Sequence, residues 1–299
     1  MQGQALPGFR DFYPDELALR NHIFATWREV ARRYGFEEYD GPPLEPLELY
    51  TDKSGAEIVA QLYTFQDKGE RQVALRPEMT PTLARMVGAR ANALKKPIRW
   101  FSIPQLFRYE RQQRGRLREH FQLNMDIVGE AASLADAELI AAAIDIVRAL
   151  GLGPQDVKAR VSDRRVLRAL LLGRGLKEEQ LAAAFYVIDK AERQSPEALV
   201  TATGDALGAK GVALALEVAG LRGIEAVQAA LAKVPGGADA GEPLAAAVSA
   251  LGAMGLTEFV QVDLTIVRGL AYYTGIVFEL FDTGKGLRAI CGGGRYDGL

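Results

Sequence analysis

The sequence has one cysteine, Cys291, and two histidines, His22 and His120, among its 299 residues. A single cysteine excludes an internal disulfide framework and fits a reducing compartment. Beside a glycine run, with no patterned partner, Cys291 is expected to serve as a small buried hydrophobe. Two isolated histidines form neither a nucleophilic triad nor a metal centre, which argues against a metal-dependent hydrolase. No apolar run approaches the roughly 20 residues needed to span a bilayer. The first residues, MQGQALPGFRDFYPDE, lack the layout of a signal peptide. These absences point to a cytoplasmic protein without a membrane partner. A basic surplus is missing too: the net charge of −2 gives no bulk attraction for nucleic acid. RNA contact must then come from local patches, and a pure RNA-binding module is disfavoured. The remainder is ordinary globular composition, 48% hydrophobic and 25% charged, in a chain long enough for one large or two ordinary domains.

The rest of the chain is arranged around FRYERQQRGRLREHFQLNMDIVG, from Phe107 to Gly129. An apolar run, Ile98 to Ile103, leads into it, and Phe121 to Val128 alternates roughly apolar and polar. This predicts two strands joined by a long basic loop, too wide for a two-residue turn. Arg108, Arg111, Arg114, Arg116 and Arg118 lie close together, with Glu110 and Glu119 among them. Guanidinium forks match phosphate oxygens two at a time, and a carboxylate between them can order a fork or a metal ion. A solvated charged hairpin accounts equally for the charge run alone; the apolar flanking strands favour arginines presented by rigid scaffold.

Taken in order, Pro14, Asp15 and Glu16 make a good helix start, and Leu17, Phe24, Trp27, Val30, Ala31 and Tyr34 recur at helical spacing up to Gly35. Leu62–Phe65 and Gln72–Leu75 flank QDKGER, a hairpin with Gly69 at its turn. Thr80 is expected as an N-cap with Pro81 opening a helix to about Leu94, which on capping grounds alone makes Glu78 and Thr80 structural. A helix is predicted over Asp136–Leu150 and a short strand over Val157–Val161. From Asp163 to Gly255 alanine and leucine dominate without a strand pattern, giving a helical insertion. Lys and Arg are not concentrated there, so plain packing is favoured over RNA contact. Strands return at Val260–Asp263, at Gly275–Asp282 and around AICGGGRYD, residues 289–297. The glycine run alone is a weak signal, compatible with a turn or close strand packing. The expected fold class is α+β, an antiparallel sheet flanked by helices. Its core occupies 1–162 and 256–299, with the insertion at 163–255.

FRYERxQxGRxRxxFQ resembles motif 2 of class II aminoacyl-tRNA synthetases in its histidyl form. VRGLAYYTGIVFE and GGGRYD are similar to that family's histidine-specific motifs, usually written RGLDYY and GGGRYD. LRPEMT, residues 75–80, is similar to its LRPEGT-type segment, and PGFRDFYP, residues 7–14, to its amino-terminal signature. The last usually belongs to motif 1 and the dimer surface, implying a homodimer. The resemblance covers nearly the whole chain, with its motifs in order, and implies a class II synthetase fold.

It also implies a chemistry. Histidine's carboxylate attacks the α-phosphorus of ATP, pyrophosphate leaves, and the adenylate esterifies tRNA(His), a reaction governed by positioning and charge stabilisation. Arg108 would grip the α-phosphate with Arg268 facing it, these two being the catalytic residues. Glu110 would take the adenine amino group, Arg116 the outer phosphates, and Phe121 would stack on adenine. Glu78 and Thr80 would hold the α-amino group of histidine, for which a carboxylate and a hydroxyl are suitable acceptors. Asp126 and Tyr273 would satisfy the imidazole nitrogens, Gln122 the polar end, and Arg268 and Tyr272 complete the motif's contribution. Gly292 and Gly293 would let the backbone approach the amino acid. Mg2+ would accompany ATP, with no metal held by the protein alone. Four departures stand out. Met79 replaces a common glycine, Asp126 replaces the glutamate of many bacterial enzymes with a shorter reach, and Ala271 stands where aspartate is usual. The chain also stops at Leu299, before motif 3 and the anticodon-binding domain, which implies a truncated catalytic core with weak activity of its own. The rival is the regulatory subunit of ATP phosphoribosyltransferase, a paralogue that binds histidine and partners the catalytic subunit without aminoacylation. Erosion of the ATP arginines should mark it, whereas Arg108, Glu110, Arg116, Phe121 and Arg268 are all present.

Overall fold

The chain divides into two units, one ending at Glu130 and the other covering Ala131–Gly298. The computed structural model describes residues 3, 5–51, 56–111, 117–267, 273–284, 286 and 288–298. The first unit opens with helix α1, Pro14–Arg33, which carries Pro14 in its first turn beside Asp15 and Glu16. Its end is set by Gly35 at φ +74°. There Phe36 N–H reaches the Ala31 carbonyl and Gly35 N–H the Arg32 carbonyl, the paired bonds of a Schellman cap. Short elements follow: β1 Glu37–Glu38, β2 Leu44–Pro46, α2 Glu48–Thr51, α3 Ala56–Val59, β3 Tyr63–Gln66 and β4 Gln72–Leu75. After them come α4 Thr80–Arg90, β5 Ile98–Ser102, β6 Gln105–Phe107, β7 Glu119–Phe121 and β8 Asn124–Val128.

Three sheets result: β1-β5-β8, β2-β4-β3 and the pair β6-β7. The hairpin expected around QDKGER is the β3–β4 pair. Its left-handed residue is Glu70, at φ +62°, rather than Gly69. The Asp67 carboxylate accepts the Gly69 and Arg71 amides and makes that conformation tolerable. Helix α4 begins one residue earlier than expected. Thr80 is its first residue, Met79 is the N-cap, and no side chain caps it. Buried Thr82 instead donates to the Glu45 carboxylate at 3.1 Å, and Arg85 joins the same carboxylate at 2.6 Å.

The second unit holds α5 Ser133–Ala149, β9 Val157–Asp163, α6 Arg164–Gly173, α7 Leu181–Lys190, α8 Pro196–Thr203, α9 Gly208–Ala219, α10 Ile224–Leu231 and α11 Gly237–Ala253. Strands β10 Val260–Val262, β11 Ile276–Asp282 and β12 Cys291–Gly294 complete it. Its sheet runs β10-β9-β11-β12, with β9 and β11 antiparallel from Val157↔Asp282 to Asp163↔Ile276. Ile140, Ala141 and Ile144 of α5 are buried, as are Val157, Ala159 and Val161 on β9 and Val277 and Leu280 on β11. Alanine at this density removes side-chain bulk between helix and sheet. From α6 to α11 the described residues form helices and short 3-10 turns. Their core is Leu167, Leu170, Leu171, Ile188, Leu199, Val218, Leu244 and Leu251. Cys291 departs from its expected role: it is exposed on β12. Among the described residues that strand is the outermost of the sheet β10-β9-β11-β12.

Candidate active site

The motif-2 hairpin is β6 paired with β7, Phe107↔Glu119, Leu106↔His120 and Gln105↔Phe121. The ladder extends one step beyond β6, with Arg108 N–H on the Arg118 carbonyl at 2.9 Å. Opposed residues share a face and neighbours alternate, so Leu106, Arg108 and His120 stand on one side. Gln105, Phe107, Glu119 and Phe121 stand on the other. On the first side, Arg108 is pinned by its Nε, which donates to the Pro77 carbonyl at 2.9 Å. This ties the hairpin to the segment carrying buried Glu78 and half-buried Thr80. His120 lies within reach of the Arg108, Glu110 and Arg10 charges and hydrogen-bonds Gln122. Burial, followed by the Arg108 charge, pushes its imidazole down to about 4 against the opposing pull of Glu110 and Gln122. The ring is therefore neutral at physiological pH. Nothing in the sequence singled out His120, a histidine with no patterned partner; its significance comes from strand register.

On the opposite side Phe121 packs edge-on to Phe24 at 5.3 Å and to Phe12 at 6.1 Å. The Arg20 guanidinium lies 4.5 Å from the Phe12 ring and 4.8 Å from that of Phe121. Glu119, buried, accepts from the Arg10 amide at 2.9 Å and from the Gln105 side chain. Arg118 N–H donates to the Gly8 carbonyl at 2.9 Å. The N-terminal signature is thus a brace for the hairpin. The structure brings together Arg108, Glu110, His120 and Gln122 and does not bring Phe121 to their side.

Asp126 is buried on β8 and faces Trp100 across the β5–β8 ladder. Tyr39 follows β1, its amide bonded to the Phe101 carbonyl at 2.8 Å and its ring 5.5 Å from that of Trp100. Burial, then Asp126, then Asp40 raise the Tyr39 hydroxyl well above the ordinary phenol range, so it stays protonated. Arg76, also buried, spans the neighbourhood. Its Nη1 donates to Asp40 at 2.8 Å and to the Gly41 carbonyl at 2.7 Å, and its Nε to the Gln105 carbonyl at 3.0 Å. Gln122 donates its side-chain amide to Asn124 at 3.0 Å.

In the second unit the glycine strand β12 pairs with β11, Glu279↔Gly292, Phe278↔Gly293 and Val277↔Gly294. A Cβ on Gly293 would lie 2.9 Å from the Phe278 ring, and one on Gly294 2.7 Å from Tyr273 and 2.8 Å from Val277. Tyr273 therefore lies directly on the glycine strand, and the absence of side chains is demanded by the protein's own rings. Arg295, which ends the run, is clamped by Asp136 of α5 at 2.6 Å, with the two side chains 11% and 10% exposed. Its Nη2 also donates to the Ala132 carbonyl at 3.1 Å. Thr274 donates to Asp297 at 2.6 Å, bracing the residue after Tyr273. Arg116, Arg268 and Tyr272 lie outside the described residues. Among the described residues no cluster of three His, Cys, Asp or Glu side chains could hold a metal ion.

The family model described as Histidyl-tRNA synthetase matches residues 8–299. The histidine--tRNA ligase of Opitutus terrae is 50% identical, the match covering 99% of this chain and 69% of the relative. The chloroplastic/mitochondrial histidine--tRNA ligase of Arabidopsis thaliana is 43% identical, covering 98% of this chain and 60% of the relative. The chain thus spans 60% to 69% of the length of these relatives. Among solved structures, an ATP phosphoribosyltransferase regulatory subunit/histidyl-tRNA synthetase from Bacillus halodurans superposes with a TM-score of 0.85 at 25% identity, covering 99% of this chain and 77% of that one. Histidyl-tRNA synthetase from Nostoc sp. has the same fold, with a TM-score of 0.85 at 24% identity over 100% of this chain and 70% of that one. The helices and largely antiparallel sheets, with β1–β5 and β10–β9 paired in parallel, are those of a class II synthetase, and this chain belongs to the histidyl-tRNA synthetase family of aminoacyl-tRNA ligases.

Proposed function

We propose that this chain activates histidine with ATP and transfers the histidyl group to tRNA(His). A histidine carboxylate oxygen forms the bond to the α-phosphorus as the bond to pyrophosphate breaks. The tRNA hydroxyl then displaces AMP from the carbonyl. The observation that carries this reading is the hydrogen bond from Arg108 Nε to the Pro77 carbonyl. It joins the phosphate-gripping arginine of one motif to the segment bearing Glu78 and Thr80, the α-amino ligands of another. Such a fork, fixed before substrate arrives, stabilises charge that develops on the α-phosphate without reorganising.

Glu110 takes the adenine amino group, Arg116 the outer phosphates, and Arg268 the α-phosphate. Phe121, packed on Phe12 and Phe24, contributes by supporting the strand that carries His120. Asp126, Gln122, Tyr272, Tyr273, Gly292 and Gly293 serve histidine recognition. Mg2+ would accompany ATP and would supply charge neutralisation on its phosphates. The segment 163–255 is an insertion in a catalytic core formed by 1–162 and 256–299. The working form is a cytoplasmic homodimer, in keeping with the large apolar side chains Leu6, Tyr13 and Leu19, which are 72%, 70% and 64% exposed in the single chain.

A second reading, a histidine-binding regulatory subunit for an ATP phosphoribosyltransferase, is favoured by one observation, the likeness to the Bacillus halodurans protein. Pyrophosphate exchange separates the two. Histidine-dependent formation of labelled ATP supports the ligase, whereas histidine binding without exchange supports the regulator.

A further inference from the structure

The Tyr39 hydroxyl oxygen is buried, and among the described residues it has no hydrogen-bond partner. Native proteins rarely leave such a group unsatisfied, because its lost hydration is not offset. The backbone holds it there: the Tyr39 amide is fixed by the Phe101 carbonyl at 2.8 Å, and its ring leans on Trp100 at 5.5 Å. Trp100 lies opposite Glu37 of β1 and Asp126 of β8, and Tyr39, two residues beyond Glu37, stands on the same sheet face as Asp126. Asp126, Asp40 and Arg76 are the charged groups the hydroxyl faces, and Asp126 is the strongest of them. Arg76 is occupied by Asp40 and by the Gly41 and Gln105 carbonyls.

We infer that Tyr39 is a further specificity-determining residue of the histidine site, its hydroxyl being kept unsatisfied in the protein so that it can hydrogen-bond the bound amino acid beside Asp126. This rests on the proposed reading of Asp126 as an imidazole-binding carboxylate, and it adds a group that no synthetase motif of the sequence contains. It also bears on the shorter aspartate: a phenol on the same sheet face supplies reach that the missing methylene gives up. A site built to pair a substrate's N–H or ring nitrogen discriminates strongly against ligands lacking that group.

The test is Tyr39→Phe, which deletes one oxygen from a buried ring and keeps its shape. Calorimetric titrations of the 299-residue chain with L-histidine and separately with ATP are compared with thermal unfolding of the ligand-free protein. The inference predicts that histidine binds at least about fivefold more weakly to Tyr39→Phe, the size of a lost hydrogen bond. ATP affinity should stay within about twofold, and the ligand-free melting temperature should be unchanged or raised. Histidine affinity within about twofold of the parent overturns it, as does a parallel loss of both ligands with a lowered melting temperature, since that would mark a structural hydroxyl. A parent chain that does not bind histidine at all would sink the proposed function, and this inference with it. Failure of the inference alone shows only in the variant.

Discussion

His120 and Phe121 are adjacent, yet strand alternation gives their rings different company: Arg108, Glu110 and Gln122 for the first, Phe12, Phe24 and Arg20 for the second. The imidazole's depressed ionisation makes a stability prediction whose sign follows from linkage. The unfolded chain takes up a proton near 6.5 and the folded one only near 4. Stability is thus fully present above the upper value and falls as pH drops through the window, by up to about 3 kcal/mol. His120→Gln should flatten this difference, measured as the change in urea midpoint between pH 7 and about 4.5; equal slopes in both proteins would contradict the burial of His120. Sequence alone could not have separated these two rings. A one-residue change of register exchanges every side chain between faces, and the register here is set by the Leu106↔His120 pairing.

At the scale of elements, the glycine strand β12 is held between its own rings and an ion pair. Gly294→Ala drives a methyl into Tyr273 and Val277, at 2.7 and 2.8 Å. It should cost about 1–3 kcal/mol of stability by overpacking, read from thermal melts, with a loss of histidine affinity as Tyr273 is displaced. Arg295→Ala leaves Asp136 buried without its clamp and should cost about 3–5 kcal/mol, whereas loss of the solvent-exposed Arg168–Glu178 pair should leave stability nearly unchanged. Helix α1 was legible from Pro14 and Gly35, because its capping is local. The β3–β4 hairpin was legible from apolar runs and turn residues, for the same reason, whereas the wide hairpin expected from Ile98–Ile103 and Phe121–Val128 is two pairings in separate sheets, β5–β8 and β6–β7. The Arg295–Asp136 clamp was not, since its partners are separated by 159 positions. Nor was the exposure of Cys291, which depends on what the tertiary fold leaves uncovered at β12.

At the scale of the molecule, family membership, the order of the motifs and the α+β class were all legible, because motif residues carry chemistry that few folds require together. The association state was implied by resemblance rather than by composition. Light scattering should give about twice the chain mass of 32.5 kDa, and Tyr13→Glu with Leu19→Glu should return it to a monomer by burying charge in the apolar contact. A monomeric parent would rule out the homodimer. In the proposed function Arg108, anchored on the Pro77 carbonyl, presents a preorganised charge to the α-phosphate of ATP in a histidine-activating site. The decisive experiment for this role is histidine-dependent ATP–pyrophosphate exchange, comparing the chain with its Arg108→Ala variant. Exchange should require histidine and fall about 10²–10³-fold in the variant, the cost of about 2.7–4 kcal/mol for one preorganised donor. Exchange that proceeds equally well without Arg108, or histidine binding with no exchange in the parent, would contradict it.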